Sequence, residues 1–391
     1  MRATNPVFSG LPTTIFTTMS ALATEHQAIN LGQGFPDDEG PDDLRAMAAR
    51  GLIEGPNQYP PMMGLPTLRE AVATANRRFH GLDVDWRSEV LVTSGATEAL
   101  ADCLLALLAP GDEAIMIEPA YDSYRPIIEA AGATPVSVAL EAPHWSLPVD
   151  KLKAAFTSRT KLIILNNPMN PTGKVFSRDE LQLIADLVIE HDCYAVCDEV
   201  YEHLVFSGAR HIPLMAFPGM YERCARIGSA GKTFSLTGWK VGYITAGAAL
   251  MDAIGKTHQF VTFTTVPALQ NAIAMGLGKE DAYFEKLASS LEAKRDLLAA
   301  GLRRAGFDVM TADGTYFLNV DFTALGYNEP DTEFCRRITK EAGVAAIPLS
   351  AFYADGENAP RNLIRFCFCK KDEILEEAIA RLERFARGKA A

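Results

Sequence analysis

From about residue 90, short and almost unbroken apolar runs alternate with longer segments that are apolar along one side only. The runs are "EVLVTS" (89–94), "AIMIE" (114–118), "TPVSVAL" (134–140), "KLIILNN" (161–167), "CYAVCDEV" (193–200) and the shorter "ARIGSAG" (225–231). Each predicts a strand. The segments between them predict helices at 95–110, 122–132, 149–156 and 177–192. In the first, Ala96, Ala99, Leu100, Cys103, Leu104, Leu107 and Leu108 share one helical face. The last opens with Ser177 and has Glu180 three residues on, a reciprocal capping pair. Strands that are apolar along their whole length must be covered on both faces, which predicts a parallel α/β sheet between helix layers.

The pattern changes near residue 280. A long charged helix, "AYFEKLASSLEAKRDLLAAGLRRAG" (282–306), precedes the order strand, strand, helix, strand, strand, helix. That order suits a smaller α+β lobe. No internal repeat or low-complexity stretch appears, and no linker is rich enough in proline and glycine to separate independent domains.

Composition narrows the function classes. The chain has 391 residues, 48% of them hydrophobic and 22% charged, an ordinary globular balance with room for two lobes. A net charge of −12, with no local run of lysine and arginine, argues against nucleic acid or an anionic membrane as partner. The opening "MRATNPVFSGLPTTIF" lacks the apolar segment of a signal peptide, and no stretch approaches a membrane span, so a cytoplasmic location is expected. Cys367 and Cys369 alternate with Phe366 and Phe368 in "IRFCFCK", reading as a strand with both thiols on one face. His191, Cys193 and Cys197 match no zinc spacing. They read better as part of a buried strand, so no metal is expected.

Sites in such sheets lie at the carboxyl ends of the strands. Here those ends carry "SGAT", "EPAYDSY", "NNPMNPTG", "CDEVY" and "SAGK". In "SAGKTFSLTGWKVGY" (229–243), Lys232 and Lys240 stand among small, uncharged and aromatic residues with no acid nearby. A buried cation without a partner is costly, so each lysine requires one from elsewhere. "TSGATEAL" offers free amides at a helix N-terminus, a natural anion site. Asp198 ends an apolar strand, where a carboxylate needs pairing. Arg365 lies inside "LIRFCF", and its planar fork suits a carboxylate.

"NPMNPTGK", "CDEVYEH" and "SAGKTFSLTGWKVGY", in that order, resemble the class I aminotransferases of the fold type I pyridoxal-phosphate group. "INLGQGFPD" and "IRFCFCKKDEIL" extend the likeness over nearly the whole chain. The branch it resembles holds kynurenine, glutamine and methionine aminotransferases and some N-succinyldiaminopimelate aminotransferases. The resemblance implies an α/β fold: a large domain (45–285) with a mainly parallel seven-stranded sheet flanked by helices, and a smaller α+β domain (286–391). Residues 1–44 form an N-terminal arm and part of the small domain.

It also implies pyridoxal 5'-phosphate as cofactor, carried on Lys232. A lysine that attacks an aldehyde must be deprotonated, which an apolar site favours. Asp198 would then face the pyridine nitrogen, and Tyr201 and Asn170 the ring's phenolic oxygen. Tyr121 would stack on the ring. Ala96, Thr97, Ser229 and Lys240 would hold the phosphate, joined by Tyr59 of "GPNQYPPMMG" from a neighbouring subunit. Arg365 would bind the substrate α-carboxylate, with Phe16 and Gly34 flanking the substrate. The implied partners are an amino acid, a 2-oxo acid and a second copy of the chain in a homodimer with shared active sites.

Three rival readings stand beside this one. A β-lyase acting on cysteine conjugates needs the same residues and would release pyruvate and ammonia without an acceptor. A non-catalytic regulatory domain of the same fold is disfavoured by the lack of a DNA-binding segment before residue 30. A nicotinamide dehydrogenase is disfavoured because no strand leads into a G-x-G-x-x-G turn. "SGATEA" also lacks the Gly-Tyr pair typical of kynurenine aminotransferases, and no second arginine is assignable to a distal carboxylate.

Overall fold

The computed structural model describes residues 2–354 and 359–389. Its central sheet has strands β1 (Val90–Thr93), β2 (Glu113–Glu118), β3 (Thr134–Ala139), β4 (Thr160–Asn166), β5 (Tyr194–Asp198), β6 (Cys224–Ser229) and β7 (Gly242–Ala246). Across the sheet they run β1-β7-β6-β5-β4-β2-β3. β7 is antiparallel to both neighbours and every other pairing is parallel. The sheet is the mainly parallel, seven-stranded one expected.

Six strands fall on the apolar runs of the sequence. The seventh, "GYITA", gives little signal because glycine, threonine and alanine contribute little hydrophobicity, yet every residue in it is buried. Its position demands a glycine at one end. A Cβ on Gly242 would come within 2.7 Å of the Gly95 carbonyl carbon.

Helices α1 (Ala96–Leu107), α2 (Arg178–Glu190), α3 (Ala248–Val261) and α4 (Asp281–Arg304) are four of those that flank the strands or continue the chain. α1 buries Ala99, Leu100, Cys103, Leu104 and Leu107, the face expected from their spacing. α2 starts at the capping pair read from sequence. The Ser177 hydroxyl accepts the Glu180 N–H at 3.2 Å, and the Glu180 carboxylate accepts the Ser177 N–H at 2.9 Å. Such a cap satisfies two backbone donors that the helix cannot.

A second, antiparallel sheet contains β8 (Asp308–Val309), β9 (Phe317–Asp321), β10 (Ile347–Pro348) and β11 (Leu363–Cys367), in the order β10-β11-β9-β8. Arg365 lies on interior strand β11, opposite Asn319 and Ile347. The N-terminal segment is tied to the same region. Ile29–Asn30 pairs in parallel with Val344–Ala345, and the Cys367 N–H donates to the Leu31 carbonyl at 2.7 Å. This pairing carries residues 32–34 alongside β11.

All seven cysteines are buried and free. The "IRFCFCK" strand ends at Cys367, so Cys369 lies just beyond it, with the two sulfurs 3.1 Å apart. His191, Cys193 and Cys197 do not converge. The His191 ring packs 5.0 Å from that of Phe156, and the Cys193 thiol points to the Val188 carbonyl. No described helix is long and apolar enough to cross a membrane.

Candidate active site

The carboxyl ends of β4, β5 and β6 open onto a cavity of about 450 Å³. Lys232, Asp198, Tyr201, Asn170 and Tyr121 line it, as do Ala96, Thr97, Ser229 and Lys240. So do Arg365, Phe16 and Gly34, brought in by β11 and the N-terminal segment. Of the cofactor and substrate residues expected from the sequence, Tyr59 alone is not on this lining. It is 81% exposed, with its ring edge-on to Phe263 at 5.4 Å.

Lys232 sits in a single helical turn directly after β6. Its Nζ donates to the Tyr316 hydroxyl at 3.0 Å. Burial lowers its pKa from the ordinary lysine value, against the opposing pull of Cys369 and Asp198. The amine therefore loses its proton more readily than a surface lysine, as a nucleophile requires. Lys240 is different. It was expected to be a second buried cation, but it is exposed, with a left-handed φ of 53°. Its side chain lies over Gly95.

Gly95 shapes the turn before α1. Its φ of 83° is left-handed, and a Cβ there would meet Lys240 Cε at 3.1 Å. The first-turn amides of α1 thus face a lysine across a floor with no side chain. A dianionic group fits that arrangement.

Asp198 is buried at the end of β5. Its carboxylate accepts from the Tyr124 hydroxyl at 2.6 Å and, more weakly, from the Val200 N–H at 3.4 Å. Burial raises its pKa, and the Tyr124 hydrogen bond counteracts part of that rise. Beside it, the Asn166 amide donates to the Asp198 carbonyl at 2.8 Å and accepts the Asn170 N–H at 2.7 Å. The strand ends are thereby locked to the "NPMNPTG" loop. Tyr201 is buried, with its ring edge-on to Tyr316 at 5.3 Å. Tyr121, its pKa pushed up to about 12 by burial, stands edge-on to Tyr124 at 5.9 Å.

Arg365 is almost wholly buried and makes no ion pair with a described carboxylate, although Asp122 on the same lining feels its charge from beyond ion-pair distance. Its guanidinium donates to the Asn170 amide oxygen and to the Gly32 carbonyl, both at 2.8 Å, and lies 4.0 Å over the Phe317 ring. Its Nε has no partner among the described residues. Burial lowers its pKa to about 10, and the nearby thiols and phenols oppose that only in part. A guanidinium whose hydrogen bonds go only to neutral oxygens among the described residues, with a donor unspent, is prepared for an anion from outside. Gly34 is required beside it, because a Cβ there would press to 2.7 Å from the Phe317 ring.

The sequence reading missed Tyr316, Tyr124 and Asn166. Tyr316 accepts from Lys232 and donates to the Gly34 carbonyl at 2.8 Å. Nothing in "DGTYFLNV" marks its tyrosine as different from a core aromatic. Asn166 and Tyr124 did lie in segments quoted as strand ends.

These features can be compared with known proteins. Residues 26–382 match the family model described as aminotransferase class I and II. This chain belongs to that family. It is 46% identical over 383 residues to a probable N-succinyldiaminopimelate aminotransferase of Mycobacterium tuberculosis, covering 96% of each chain. It is 43% identical over 374 residues to the methionine aminotransferase of Escherichia coli, again covering 96% of each. The solved structure of N-succinyldiaminopimelate aminotransferase from M. tuberculosis superposes with a TM-score of 0.94, covering 98% of this chain and 100% of that one.

The protein is thus a pyridoxal-phosphate-dependent aminotransferase, moving an amino group from an amino acid to a 2-oxo acid. The cavity fits that cofactor by its chemistry. It offers a deprotonation-prone lysine, a buried carboxylate, an anion cradle and an underused guanidinium. The named relatives are aminotransferases, in line with the reading preferred over β-elimination.

Proposed function

We propose that the cavity divides into a cofactor end and a substrate end, and that its preferred donors are L-amino acids with uncharged side chains. At the cofactor end, the first-turn amides of Ala96 and Thr97, the Ser229 hydroxyl and Lys240 hold the phosphate. Asp198 holds a proton on the pyridine nitrogen, and Tyr201 and Asn170 hydrogen-bond the phenolic oxygen. Tyr121 covers the ring. When bound, the cofactor supplies an aldehyde for the amino group and an electron sink for the charge released at Cα. With the cofactor bound, the free Lys232 amine would take the Cα proton on Nζ and deliver it two bonds away, to the cofactor's C4′ carbon. Arg365 grips the α-carboxylate and so fixes which bond at Cα faces Lys232, the Cα–H.

The observation that carries the substrate class is that Arg365 is the only guanidinium on the described lining of the cavity. Thr14, Phe16, Gln33 and Phe317 supply the rest of the substrate end. A methionine, glutamine or aromatic side chain is accommodated there without a second cation. The test is half-transamination, followed by the spectrum of the bound cofactor, with these amino acids and N-succinyldiaminopimelate. Conversion by the uncharged donors is expected. Conversion by N-succinyldiaminopimelate alone would overturn this assignment, and the 46% identical relative makes that outcome the second reading.

The active unit is proposed to be a homodimer, acting in the cytoplasm as the free thiols suit. Ile53, Tyr59 and Phe260 are more than 80% exposed, at 84%, 81% and 86%. Apolar side chains so exposed mark a surface that a second copy covers. Within each chain, residues 45–285 are proposed as the cofactor domain and 286–391 as the small domain. The pairing of Ile29–Asn30 with Val344–Ala345 supports placing part of the 1–44 arm with the latter.

A further inference from the structure

Glu98 is the third residue of α1, the helix whose first turn is proposed to hold the cofactor phosphate. Its carboxylate reaches back to accept the Ser94 N–H, bracing the turn from behind. That brace puts a negative charge in the same helical turn as a dianion. Two such charges repel unless something neutralises one of them.

His258 of α3 is positioned to do so. It is fully buried, with Nδ1 2.6 Å from Glu98 Oε1 and 3.2 Å from Asp102 Oδ2. Its Nε2 lies 3.2 Å from the Met62 carbonyl oxygen. Both ring nitrogens face oxygen acceptors. A neutral imidazole has one N–H and would set a lone pair against one of them, whereas an imidazolium satisfies both. Burial works against that charge, but Asp102 and Glu98 more than reverse it and raise the pKa to about 9. Glu98 is held below the usual carboxylate range despite its burial, chiefly by His258 and the Ser94 amide. Burial instead pushes Asp102 up to about 6, so the nearer carboxylate, Glu98, takes the larger share of the imidazolium's charge. Glu98, Asp102 and His258 lie behind the cavity wall, outside its lining.

We infer that His258 is a positioning residue for the cofactor: as an imidazolium it neutralises Glu98, so the carboxylate can brace the phosphate turn without repelling the phosphate. The inference rests on the proposed phosphate site. His258 touches neither substrate nor cofactor and acts through Glu98. Through the Met62 carbonyl it also ties α1 to the loop that carries Tyr59.

The test compares affinity for pyridoxal phosphate with affinity for unphosphorylated pyridoxal, by equilibrium dialysis of the full-length chain freed of cofactor. Wild-type protein should prefer the phosphorylated form; no preference would overturn the phosphate site itself. His258→Gln should reduce that preference about tenfold while leaving pyridoxal binding unchanged. Adding Glu98→Gln should restore most of it, because the amide oxygen still accepts the Ser94 N–H and the charge is gone. Equal weakening of both ligands, with no rescue by the second substitution, would overturn the inference in favour of plain scaffolding. Zinc bound tightly by wild type and lost in His258→Gln would overturn it in favour of a metal site. If His258→Gln does not fold, Glu98→Gln alone decides. A preference at or above wild type supports the inference, and a tenfold loss overturns it.

Discussion

The Lys232 amine donates to the Tyr316 hydroxyl at 3.0 Å, and that hydroxyl donates onward to the Gly34 carbonyl at 2.8 Å. One phenol thus connects the turn after β6, the strand entry at β9 and the N-terminal segment. Burial has already lowered the Lys232 pKa, so the amine needs orientation more than a counter-charge. The Tyr316 oxygen accepts one of its hydrogens and gives its lone pair a direction.

Tyr316→Phe is accordingly expected to keep cofactor and fold while slowing single-turnover amino-group removal about tenfold, the worth of roughly one hydrogen bond in the transition state. A rate within twofold of wild type would show that the phenol does not orient the amine. Lys232→Ala should abolish turnover yet still hold some cofactor noncovalently. Borohydride reduction and peptide mapping of the wild type should label Lys232; a label on Lys240 would reverse the two lysines' roles.

Asp198 presents the opposite electrostatic problem. Burial raises its pKa, and the 2.6 Å bond from Tyr124 helps keep it ionised. Asp198→Asn keeps the shape and removes the charge, so the pyridine nitrogen should lose its proton. Turnover should fall by about a hundredfold or more, a few kcal/mol of transition-state stabilisation. Tyr124→Phe should produce a smaller loss, about fivefold, through the same route. Near-wild-type turnover of Asp198→Asn at full cofactor occupancy would refute the assignment.

Much of this was legible in the sequence, for identifiable reasons. Lys232, Asp198 and Arg365 are charged residues in segments otherwise apolar or small, and a polar group in such a setting needs a partner. The six strands with continuous apolar runs were legible for the same reason. β7 was not, because Gly242, Thr245 and Ala246 carry little hydrophobicity and its burial comes from an interior place in the sheet under helices such as α1 and α3. Tyr316 and Tyr124 were invisible because a buried tyrosine reads as core until its hydroxyl's partner is known. Lys240 was misread as buried because sequence shows the apolar company of a residue and not the direction of its side chain.

Arg365 supplies a prediction about substrates as a class. Its guanidinium makes two bonds to neutral oxygens and keeps a donor free. Arg365→Lys preserves charge but loses the fork and the bond to the Asn170 amide. KM should rise about tenfold or more for every amino acid and oxo acid, whatever its side chain. A rise confined to one substrate would place Arg365 beside the side chain instead of the α-carboxylate.

The last prediction concerns Tyr59, which is not on its own chain's cavity lining and is 81% exposed. A tyrosine so exposed, with its ring edge-on to Phe263, gains little in an isolated chain. In the proposed two-fold dimer it would donate its hydroxyl to the phosphate in the neighbouring subunit's site. A chain carrying both Tyr59→Phe and Lys232→Ala, paired with a wild-type chain, isolates that contribution. The heterodimer has one intact lysine, on the wild-type chain, and the tyrosine serving it would come from the substituted chain. Cofactor at that lysine should bind more weakly than in the wild-type homodimer, by about fivefold to tenfold for a lost hydrogen bond to a charged acceptor. Unchanged affinity there would confine Tyr59 to its own subunit. A monomer in sedimentation at working concentration would remove the shared site altogether.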